Sequence, residues 1–559
     1  MKKRHTITAA LPYANGPIHI GHLAGAYIPA DIYSRYLRLL ERDIIFICGS
    51  DEHGAAIPIR AKIEGSTPKK IVDKYHKSIK KSFENFNISF DNYSRTSSKI
   101  HHKTASIFFK DLLDKGNFIE KETEQLYDEK ENQFLADRFV TGFCPKCKSD
   151  EAYGDQCESC GSTLNATDLL NPKSKLSGNK PILKKTKHWF LPLNNFENFL
   201  KDWFLKEKKS DWKTNVFGQV KSWISEGLKP RAITRDLDWG IPVPLKNAMG
   251  KVLYVWFDAP IGYISSTIEW AEINKKDWKP YWQNSETELV HFIGKDNIVF
   301  HCIIFPAILH ASKKYILPTN VPANEFLNLE GQKISTSKNW AIWIDDYMKD
   351  FPEMQDTLRY VLTANAPENK DNDFTWRDFQ AKNNNELVAI FGNFINRVAI
   401  LTEKYYDLKV PSIGYIEKEE EKMIEKIYSY PQKIGSYIES FKFRDAINTL
   451  IDLARLGNKY LAETEPWKLI KTSESKRVET IMNISIQICG ILTLVCEPFL
   501  PNTSKKLKKQ FNLQNINWNE INKKNPIIST KIKKSDLIFR KIEDEEIDFQ
   551  LRKLNASKK

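Results

Sequence analysis

The sequence predicts an α/β protein in which one parallel sheet is split by an inserted domain and followed by a helical bundle. Residues 5–10 and 44–50 have the pattern of buried strands separated by a loop and a helix, and a further buried strand is predicted at 289–294. A polar stretch without this βα alternation lies between them, and helical periodicity dominates from about residue 380. One sheet interrupted by an insertion accounts for the two separated α/β stretches.

The domain boundaries follow from these changes of pattern. A chain of 559 residues exceeds one ordinary hydrophobic core and predicts three or four domain-sized units. We place the first half of the sheet domain at 1–115, the insertion at 116–228, the second half of the sheet domain at 229–325, a region that contains the KISTS loop and a predicted stem contact at 326–380, the helical domain at 381–530 and a charged tail at 531–559.

The chain carries an excess of positive charge, because 84 Lys and Arg outnumber 71 Asp and Glu and give a formal net charge of +13. Such a charge attracts anionic partners, and nucleic acid is the natural candidate. The alternative is that a Lys-rich composition only keeps the chain soluble. Charge alone does not separate the two.

Neither export nor membrane insertion is expected. Pro12, Asn15 and Gly16 interrupt the basic start before an apolar core of signal-peptide length can form. The most apolar long stretch, 481–500, contains polar residues and is typical of a buried helix rather than a membrane span. We therefore predict a cytoplasmic protein.

The loop that follows the first predicted strand, from Leu11 to His22, has the features of a phosphate-binding junction. It places His19 and His22 around Gly21 at the point where a strand gives way to a helix. A helix N-terminus offers unpaired N–H groups and a positive dipole end, glycine permits close approach, and imidazoles donate to oxygens that gain charge. The pattern predicts a triphosphate site.

In this loop the chain resembles the class I aminoacyl-tRNA synthetases, whose first signature, His-Ile-Gly-His, is intact at 19–22. Their second signature, Lys-Met-Ser-Lys-Ser, is similar to Lys333-Ile-Ser-Thr-Ser337. The resemblance implies a Rossmann-like catalytic domain with His19, His22, Lys333 and Thr336 at the catalytic positions. Thr336 stands where the family has its second lysine, so one charge that acts on the triphosphate is missing. We hypothesise that Lys338 partly substitutes for it.

The resemblance also implies that ATP is a substrate, with Mg²⁺ on its phosphates. In this class the amino acid's carboxylate attacks the α-phosphate, and a ribose hydroxyl of the terminal adenosine of the tRNA then attacks the adenylate. The ATP contacts that it implies are Tyr13, Asn15, Gly21, Gly294, Asp296, Lys333, Thr336 and Lys338.

Three strings resemble the methionyl enzymes within this class: GSDEHG at 49–54, WFDAPIGY at 256–263, and HFIGKD from 291 with its following Phe-His. A methionine site needs a carboxylate for the ammonium group and aromatic rings around the thioether. By resemblance, Asp51 binds the amino group. The residues that would shape the side-chain pocket are Leu11, Trp256, Ala259, Pro260, Tyr263, Phe300 and His301. Without the resemblance, WFDAPIGY would be interpreted as an aromatic core strand and turn.

A cysteine cluster in the insertion predicts one structural zinc ion. Cys144 and Cys147, then Cys157 and Cys160, form two C-x2-C pairs separated by nine residues. Four thiolates suit a closed tetrahedral Zn²⁺ site. The methionyl enzymes resemble this arrangement, and no cysteines remain for the second knuckle of some relatives. The other cysteines, at 48, 302, 489 and 496, lie in apolar runs and are interpreted as core thiols.

In the helical region, Asn393, Arg397 and Trp467 are candidates for anticodon recognition. Asn393 and Arg397 are four residues apart and therefore share a helix face, while Trp467 follows Pro466 at a helix end. Asn and Arg can hydrogen-bond to base edges and an indole can stack on an extruded base. The alternative is an exposed face and a capping aromatic, and spacing alone favours it. The resemblance favours the anticodon, because FGNFINR and EPWKL match the family's contact positions.

The predicted partners are L-methionine and tRNA(Met), both initiator and elongator. A large editing insertion is not expected, because about 110 residues separate the sheet halves. We also predict a monomer without the C-terminal dimerisation domain of some relatives, and a correspondingly weaker affinity for tRNA. Two alternatives stay open: a synthetase for another amino acid, and a non-catalytic RNA-binding paralogue, which only the Thr336 departure makes conceivable.

Overall fold

The structure is a computed structural model that describes residues 4–135, 137–150, 152–154, 157, 159–160, 162, 164–206, 212–336, 338–414, 416–472, 475–513, 516–521, 527–528 and 530–557. Within these residues the strands are β1 Arg4–Ala9, β2 Asp43–Ser50, β3 Asn92–Arg95, β4 Ile119–Asp128, β5 Gln133–Phe134, β6 Val140–Phe143, β7 Ala152–Tyr153, β8 Leu170–Ser174, β9 Ile182–Leu191, β10 Arg231–Ala232, β11 Thr234–Asp236, β12 Lys251–Leu253, β13 Thr287–Gly294, β14 Ala323–Asn324, β15 Leu327–Leu329, β16 Gln332–Lys333 and β17 Asn372–Phe374.

The α-helices follow one another along the chain as α1 Ile20–His22, α2 Ile28–Leu39, α3 Ala56–Ile63, α4 Pro68–Asn85, α5 Lys99–Asp114, α6 Glu197–Leu200, α7 Thr214–Ser225, α8 Val255–Asn274, α9 Lys279–Gln283, α10 Phe305–Ser312, α11 Ile344–Asp350, α12 Gln355–Ala364, α13 Trp376–Lys382, α14 Asn393–Tyr406, α15 Lys418–Glu439, α16 Phe443–Thr464, α17 Pro466–Leu469, α18 Ser475–Val495, α19 Pro501–Gln510, α20 Trp518–Ile521 and α21 Asp544–Ser557. π-Helical segments join several of them: Leu23–Tyr27, Lys201–Lys206, Phe300–Ile304 and Asn383–Gly392.

The chain forms two compact units whose segments alternate along the sequence. The first unit contains the chain up to Pro17 together with Ile45–Phe83 and Phe90–Pro322. The second unit contains Ile18–Ile44, Glu84–Ser89 and the chain from Ala323 onward. The first signature therefore belongs to the second unit, although the strand before it belongs to the first.

The first unit is built on strands in the order β13-β1-β2-β3. β1 pairs in parallel with β13, from Arg4 opposite Thr287 to Ala9 opposite Phe292, and β2 pairs in parallel with β3. The strands predicted at 5–10, 44–50 and 289–294 are confirmed as β1, β2 and β13. Since the carboxyl ends of parallel strands share one edge of the sheet, the loops after these strands open on the same side, where ligands usually bind.

The insertion folds into antiparallel strands, as its lack of βα alternation indicates. β4 pairs with β9 from Ile119 opposite Phe190 to Tyr127 opposite Ile182, within a sheet of order β10-β9-β4-β5. A smaller sheet, β7-β6-β8, accompanies the four cysteines. Its apolar core is small and includes Cys144 and Cys157 themselves. A core of this size gains from a metal cross-link.

The second unit is mainly helical, as predicted for the chain beyond residue 380. Its most apolar helix is α18, in which Ile481, Ile488 and Leu492 have no exposed surface. The window Lys476–Val495 is apolar and long enough to cross a membrane, yet 94% of it is buried inside the protein. The prediction of a buried core helix is confirmed.

One segment has a different structure from the sequence-only alternative. WFDAPIGY is not a core strand and turn but the start of the long helix α8, which contains Pro260 near its beginning. Buried residues occupy all sides of this helix, because the consecutive residues Pro260, Ile261, Gly262 and Tyr263 are all buried. A helix that is apolar all round has no amphipathic period to reveal it.

Candidate active site

The first unit contains a cavity of about 410 Å³ at the carboxyl edge of its parallel sheet. It is lined by Leu11, Tyr13, Asn15, Asp51, Gly54, Ala55, Ala56, Arg138, Leu237, Tyr254, Val255, Trp256, Ala259, Pro260, Tyr263, Asn297, Phe300 and His301. All eight residues predicted for the methionine site are among them. So are Tyr13 and Asn15, which the resemblance assigns to ATP.

Two loops at the sheet edge are joined to form one side of the cavity. The Ala14 N–H donates to the Asp51 carbonyl at 2.8 Å, and the Asp51 N–H donates to the Pro12 carbonyl at 2.9 Å. The loop after β1 and the turn after β2 therefore continue the parallel pairing of the sheet beyond its strands. This pairing places the Asp51 side chain beside the residues of the first loop.

The surroundings of the Asp51 carboxyl group favour the binding of a cation. It accepts one long hydrogen bond, from the His53 N–H at 3.4 Å. Its pKa is raised well above the usual range, first because burial disfavours the charged form and second because Asp258 is negatively charged. A positive group in the cavity would offset both effects and favour the carboxylate.

Aromatic rings form the opposite wall of the cavity. The rings of Trp256 and Phe300 meet edge to face, with centroids 4.7 Å apart at 83°. Tyr254 stacks on Trp256 at 5.5 Å and extends the wall. Sulfur atoms make favourable contacts with ring edges and faces of this kind.

His301 forms a fixed polar point within this aromatic region. Its Nδ1 lies 3.0 Å from the Asn297 carbonyl, which can only accept, so Nδ1 carries the proton. Nε2, at 2.8 Å, then accepts from the Tyr263 hydroxyl. Burial lowers the pKa of His301 to about 4. At neutral pH the imidazole is uncharged, which suits an apolar ligand.

Gly294 and Asp296 lie at the end of β13, outside the lining of this cavity. The backbone of Gly294 is closely covered, because a Cβ added there would lie 2.8 Å from Asp296 Oδ1. The same oxygen accepts from the Asn297 side-chain amide at 3.2 Å. A larger residue at Gly294 would displace the carboxylate.

In the second unit, the two histidines of the first signature stack on each other. Their ring centroids lie 3.8 Å apart, and the His19 N–H donates to His22 Nδ1 at 3.1 Å. Burial lowers the pKa of both rings, that of His22 to about 4. The pair is therefore neutral at pH 7 and available to donate N–H groups without carrying a fixed charge.

The second signature lies next to the first within the same unit. A Cβ added at Gly21 would meet the Ile334 side chain at 3.1 Å, so the two motifs are in close contact. The backbones are also joined, since the Ile20 N–H donates to the Ile342 carbonyl at 3.1 Å. No motif in the sequence indicated that the 340–344 segment contacts the first signature.

Lys333 ends a short hairpin formed by β15 and β16, and its ammonium lies 5.4 Å from the Phe326 ring centroid. Thr336 and Lys338 are exposed, while Ser337 lies outside the described residues. The Lys338 N–H donates to Ser335 Oγ at 3.3 Å, which fixes the backbone of the loop near that lysine. Both lysines are thus free to reach a ligand.

The four predicted cysteines come together in the insertion. Their sulfur atoms all lie within 4.8 Å of one another, with Cys144 and Cys160 at 3.8 Å and Cys147 and Cys157 at 3.6 Å. Tetrahedral Zn²⁺ with bonds of about 2.3 Å places its sulfur ligands about 3.8 Å apart. The donor set and its spacing therefore fit zinc.

The three predicted anticodon residues are brought together in the second unit. The Arg397 guanidinium lies over the Trp467 ring, and Asn393 lies one helical turn from Arg397 on α14. A residue that the sequence analysis missed, Asn458 on α16, accepts from Asn393 at 3.3 Å and lies 3.5 Å from Arg397 Nη1. Asn458 is itself fixed by donation to the Ile390 carbonyl at 2.9 Å.

Comparison with known proteins agrees with this geometry. The family of class I tRNA synthetases described as "(M)" matches residues 5–399, and the anticodon-binding domain of methionyl tRNA ligase matches residues 410–558. The methionine–tRNA ligase of Christiangramia forsetii is 65% identical over 564 residues, covering 100% of this chain and 82% of the relative. The chain belongs to the methionyl-tRNA synthetase family. Its activity is that of a class I methionine–tRNA ligase.

Other methionyl-tRNA synthetases extend the comparison. The Bacteroides fragilis methionine–tRNA ligase is 59% identical over 558 residues, covering 100% of this chain and 81% of the relative. A Mycobacterium tuberculosis methionyl-tRNA synthetase, whose crystal structure is described as bound by methionyl-adenylate, superimposes with a TM-score of 0.81 at 20% identity, covering 96% of this chain and 100% of that one. The Rossmann-like fold with a helical C-terminal domain is thus confirmed, whereas the monomeric state and the cytoplasmic location stay predictions.

Several residues of this synthetase's cavity were not found from the sequence. Arg138, Tyr254 and Asn297 line the cavity or hold its residues, yet none lies in a motif that the resemblance matched. His53 and Asp258 do lie in matched strings, but their contact with each other has no sequence signal. It joins residues 205 positions apart.

Proposed function

We propose that the chain activates L-methionine with ATP to methionyl-adenylate and transfers the methionyl group to the terminal adenosine of initiator and elongator tRNA(Met). The observation that carries this proposal is the cavity of the first unit. It combines a half-buried carboxylate with an aromatic wall, and every residue predicted for methionine lines it. The Mycobacterium tuberculosis relative described with methionyl-adenylate supports the same reaction.

Methionine recognition follows from the chemistry of the cavity. The α-ammonium group pairs with Asp51, whose burial makes a cation favourable. The thioether lies against Trp256 and Phe300, while Leu11, Ala259 and Pro260 limit the length and width of the side chain. The hydrogen bond between Tyr263 and His301 keeps both side chains in place. An amino acid with a branched side chain would therefore clash with them.

For activation, ATP is assigned to the residues that the family resemblance implies. The methionine carboxylate attacks the α-phosphorus, and pyrophosphate leaves with the electrons of the broken bond. His19 and His22 donate N–H groups to phosphate oxygens, and Lys333 neutralises charge on the leaving group. Tyr13, Asn15, Gly21, Gly294 and Asp296 are assigned to the nucleotide. Mg²⁺ on the phosphates would neutralise further charge.

Transfer requires the tRNA to present its terminal adenosine for the reaction and its anticodon for recognition. A ribose hydroxyl of the terminal adenosine, the 2′-hydroxyl in class I relatives, attacks the adenylate carbonyl and AMP leaves. Asn393, Arg397 and Trp467 read the anticodon by hydrogen bonding and stacking. Asn458 joins them as a positioning residue, because it contacts both polar side chains.

We also propose that one Zn²⁺ ion is held by Cys144, Cys147, Cys157 and Cys160. Their sulfur atoms lie within 4.8 Å of one another, a spacing that one tetrahedral ion can bridge. The ion would supply a structural cross-link for the small core of the insertion.

Methionine-dependent ATP–pyrophosphate exchange tests the proposal directly. Purified chain is assayed with methionine, and separately with isoleucine, leucine, valine and cysteine. Exchange with methionine alone is expected. Exchange with another amino acid would contradict the methionine assignment, and no exchange with any amino acid would favour the RNA-binding alternative that Thr336 leaves open.

A further inference from the structure

A buried pair joins two walls of the cavity in the first unit and has no part in the proposed reaction. His53 Nδ1 lies 2.5 Å from Asp258 Oδ2, and the two residues are 1% and 0% exposed. His53 belongs to the turn after β2, three residues from its strand, whereas Asp258 belongs to the first turn of α8. The pair therefore connects the sheet edge to the helix that carries four of the predicted pocket residues.

The turn that carries His53 is the one that carries Asp51. The Tyr13 hydroxyl donates to the His53 carbonyl at 2.5 Å, and the His53 N–H donates to Asp51 Oδ1 at 3.4 Å. Gly54 ends the turn with φ of +95°, and a Cβ there would lie 2.9 Å from the Tyr13 hydroxyl. The backbone around Asp51 thus depends on how the His53 side chain is held.

The charge of Asp258 also affects Asp51. Burial alone would raise the pKa of Asp258, but the His53 and His101 imidazoles outweigh burial and the pKa is lowered, so Asp258 is a carboxylate. That carboxylate is the second cause, after burial, of the raised pKa of Asp51. If His53 were displaced, Asp258 would lose the imidazole that partly offsets its charge, and its repulsion of the Asp51 carboxylate would increase.

We propose that His53 and Asp258 are positioning residues for the substrate's ammonium group, whose buried hydrogen bond holds the Asp51 turn against α8. The proposal rests on the methionine site described above and assigns the pair no contact with the substrate. It predicts that the pair determines methionine affinity through Asp51, rather than the rate of the chemical step.

His101 provides a matched comparison. Its Nε2 lies 3.5 Å from the same oxygen of Asp258, and its Nδ1 lies 2.8 Å from Ser265 Oγ. Its own helix, α5, contributes no residue to the lining of the cavity. If Asp258 served only the stability of the core, the loss of either histidine contact would have similar consequences.

The experiment compares three variants in methionine-dependent pyrophosphate exchange, with thermal stability measured alongside. His53→Ala removes the contact, and His53→Asn retains a donor in the place of Nδ1. His101→Asn keeps the Ser265 contact and loses the Asp258 contact. We expect His53→Ala to raise the KM for methionine about tenfold or more with kcat and the KM for ATP little changed, because a hydrogen bond to a charged group is lost. His53→Asn and His101→Asn are expected to stay within about threefold of wild type.

A desamino analogue makes the test specific to the ammonium group. 4-(Methylthio)butanoate has the thioether and carboxylate of methionine but no amino group, and its inhibition constant is measured against each variant. We expect this constant to be unchanged in His53→Ala. An equal loss for methionine and the analogue, or an equal loss in His53→Asn and His53→Ala, would overturn the proposal. Wild type without methionine-dependent exchange would instead refute the proposed function.

Discussion

The guanidinium carbon of Arg397 lies 5.4 Å from the centroid of the Trp467 indole, so a cation covers one face of the aromatic ring in the second unit. The two residues come from different helices, α14 and α17. Such a contact orients the indole and gives an extruded base a stacking partner and a hydrogen-bond donor at one place.

Trp467→Ala is therefore expected to lower kcat/KM for tRNA charging by about tenfold or more, since stacking of one base contributes about 1–3 kcal/mol. Methionine-dependent pyrophosphate exchange should be unchanged, because it needs no tRNA. Lys459→Ala serves as the control, as it removes an exposed cation of α16 that is paired with Glu463. An equal loss of charging in this control would show a general electrostatic effect.

Zinc is expected to bind in a ratio of one ion per chain. Cys157→Ser should abolish this stoichiometry, measured by metal analysis of the purified protein, because the buried sulfur is one of four ligands. Cys496→Ala, which changes a buried thiol in the second unit, is the matched control and should retain the ion. Retention of a full equivalent by Cys157→Ser would contradict the four-cysteine site.

The low pKa of His301 is expected to make the folded chain less stable in acid. Its pKa is about 4 in the folded chain, below the value of about 6.5 expected when unfolded. Folding therefore favours the neutral imidazole. The resulting contribution to the free energy of unfolding is complete above about pH 6.5 and is lost as the pH falls toward 4. At pH 5 the loss is about 2 kcal/mol.

His301→Asn, which does not titrate, should consequently lose less thermal stability than wild type between pH 7.5 and pH 5, by about 2 °C in calorimetry for a chain of this length. His310→Asn provides the comparison, because His310 is exposed and should change the pH dependence much less. A pH dependence of His301→Asn identical to that of wild type would show that His301 is not the neutral, buried group inferred here.

Local strings predicted most of the candidate site residues. His19 to His22, the C-x2-C pairs and the WFDAPIGY string each lie within a few consecutive residues, so a pattern can identify them. The parallel strands were predictable for the same reason, because each is a short apolar run with turn residues on both sides.

The contacts between distant segments were not predictable in this way. Arg397 and Asn458 are 61 positions apart, and His53 and Asp258 are 205 apart. Each of these residues has an ordinary solvent or core interpretation when taken alone. The start of α8 was misassigned without the resemblance for a different reason, since burial on all sides removes the helical period.

Thr336 stands where the second signature of the family has its second lysine. Thr336 and Lys338 are both exposed in the loop after Lys333, so either position can present an ammonium group to the triphosphate. If Lys338 partly replaces the missing lysine, Lys338→Ala should slow methionine-dependent pyrophosphate exchange about tenfold, and Thr336→Lys should raise it above wild type, because one charged contact to the phosphates is lost or gained.

The two changes should also be non-additive. In a Thr336→Lys background the new lysine supplies the charge, so Lys338→Ala is expected to cost far less than it does in wild type. Lys349→Ala controls for the loss of a positive charge elsewhere in the same unit. It removes an exposed lysine whose Nζ lies 3.9 Å from Asp346 Oδ1. Additive effects, or exchange untouched by Lys338→Ala, would mean that Lys333 acts at the phosphates without help from Lys338.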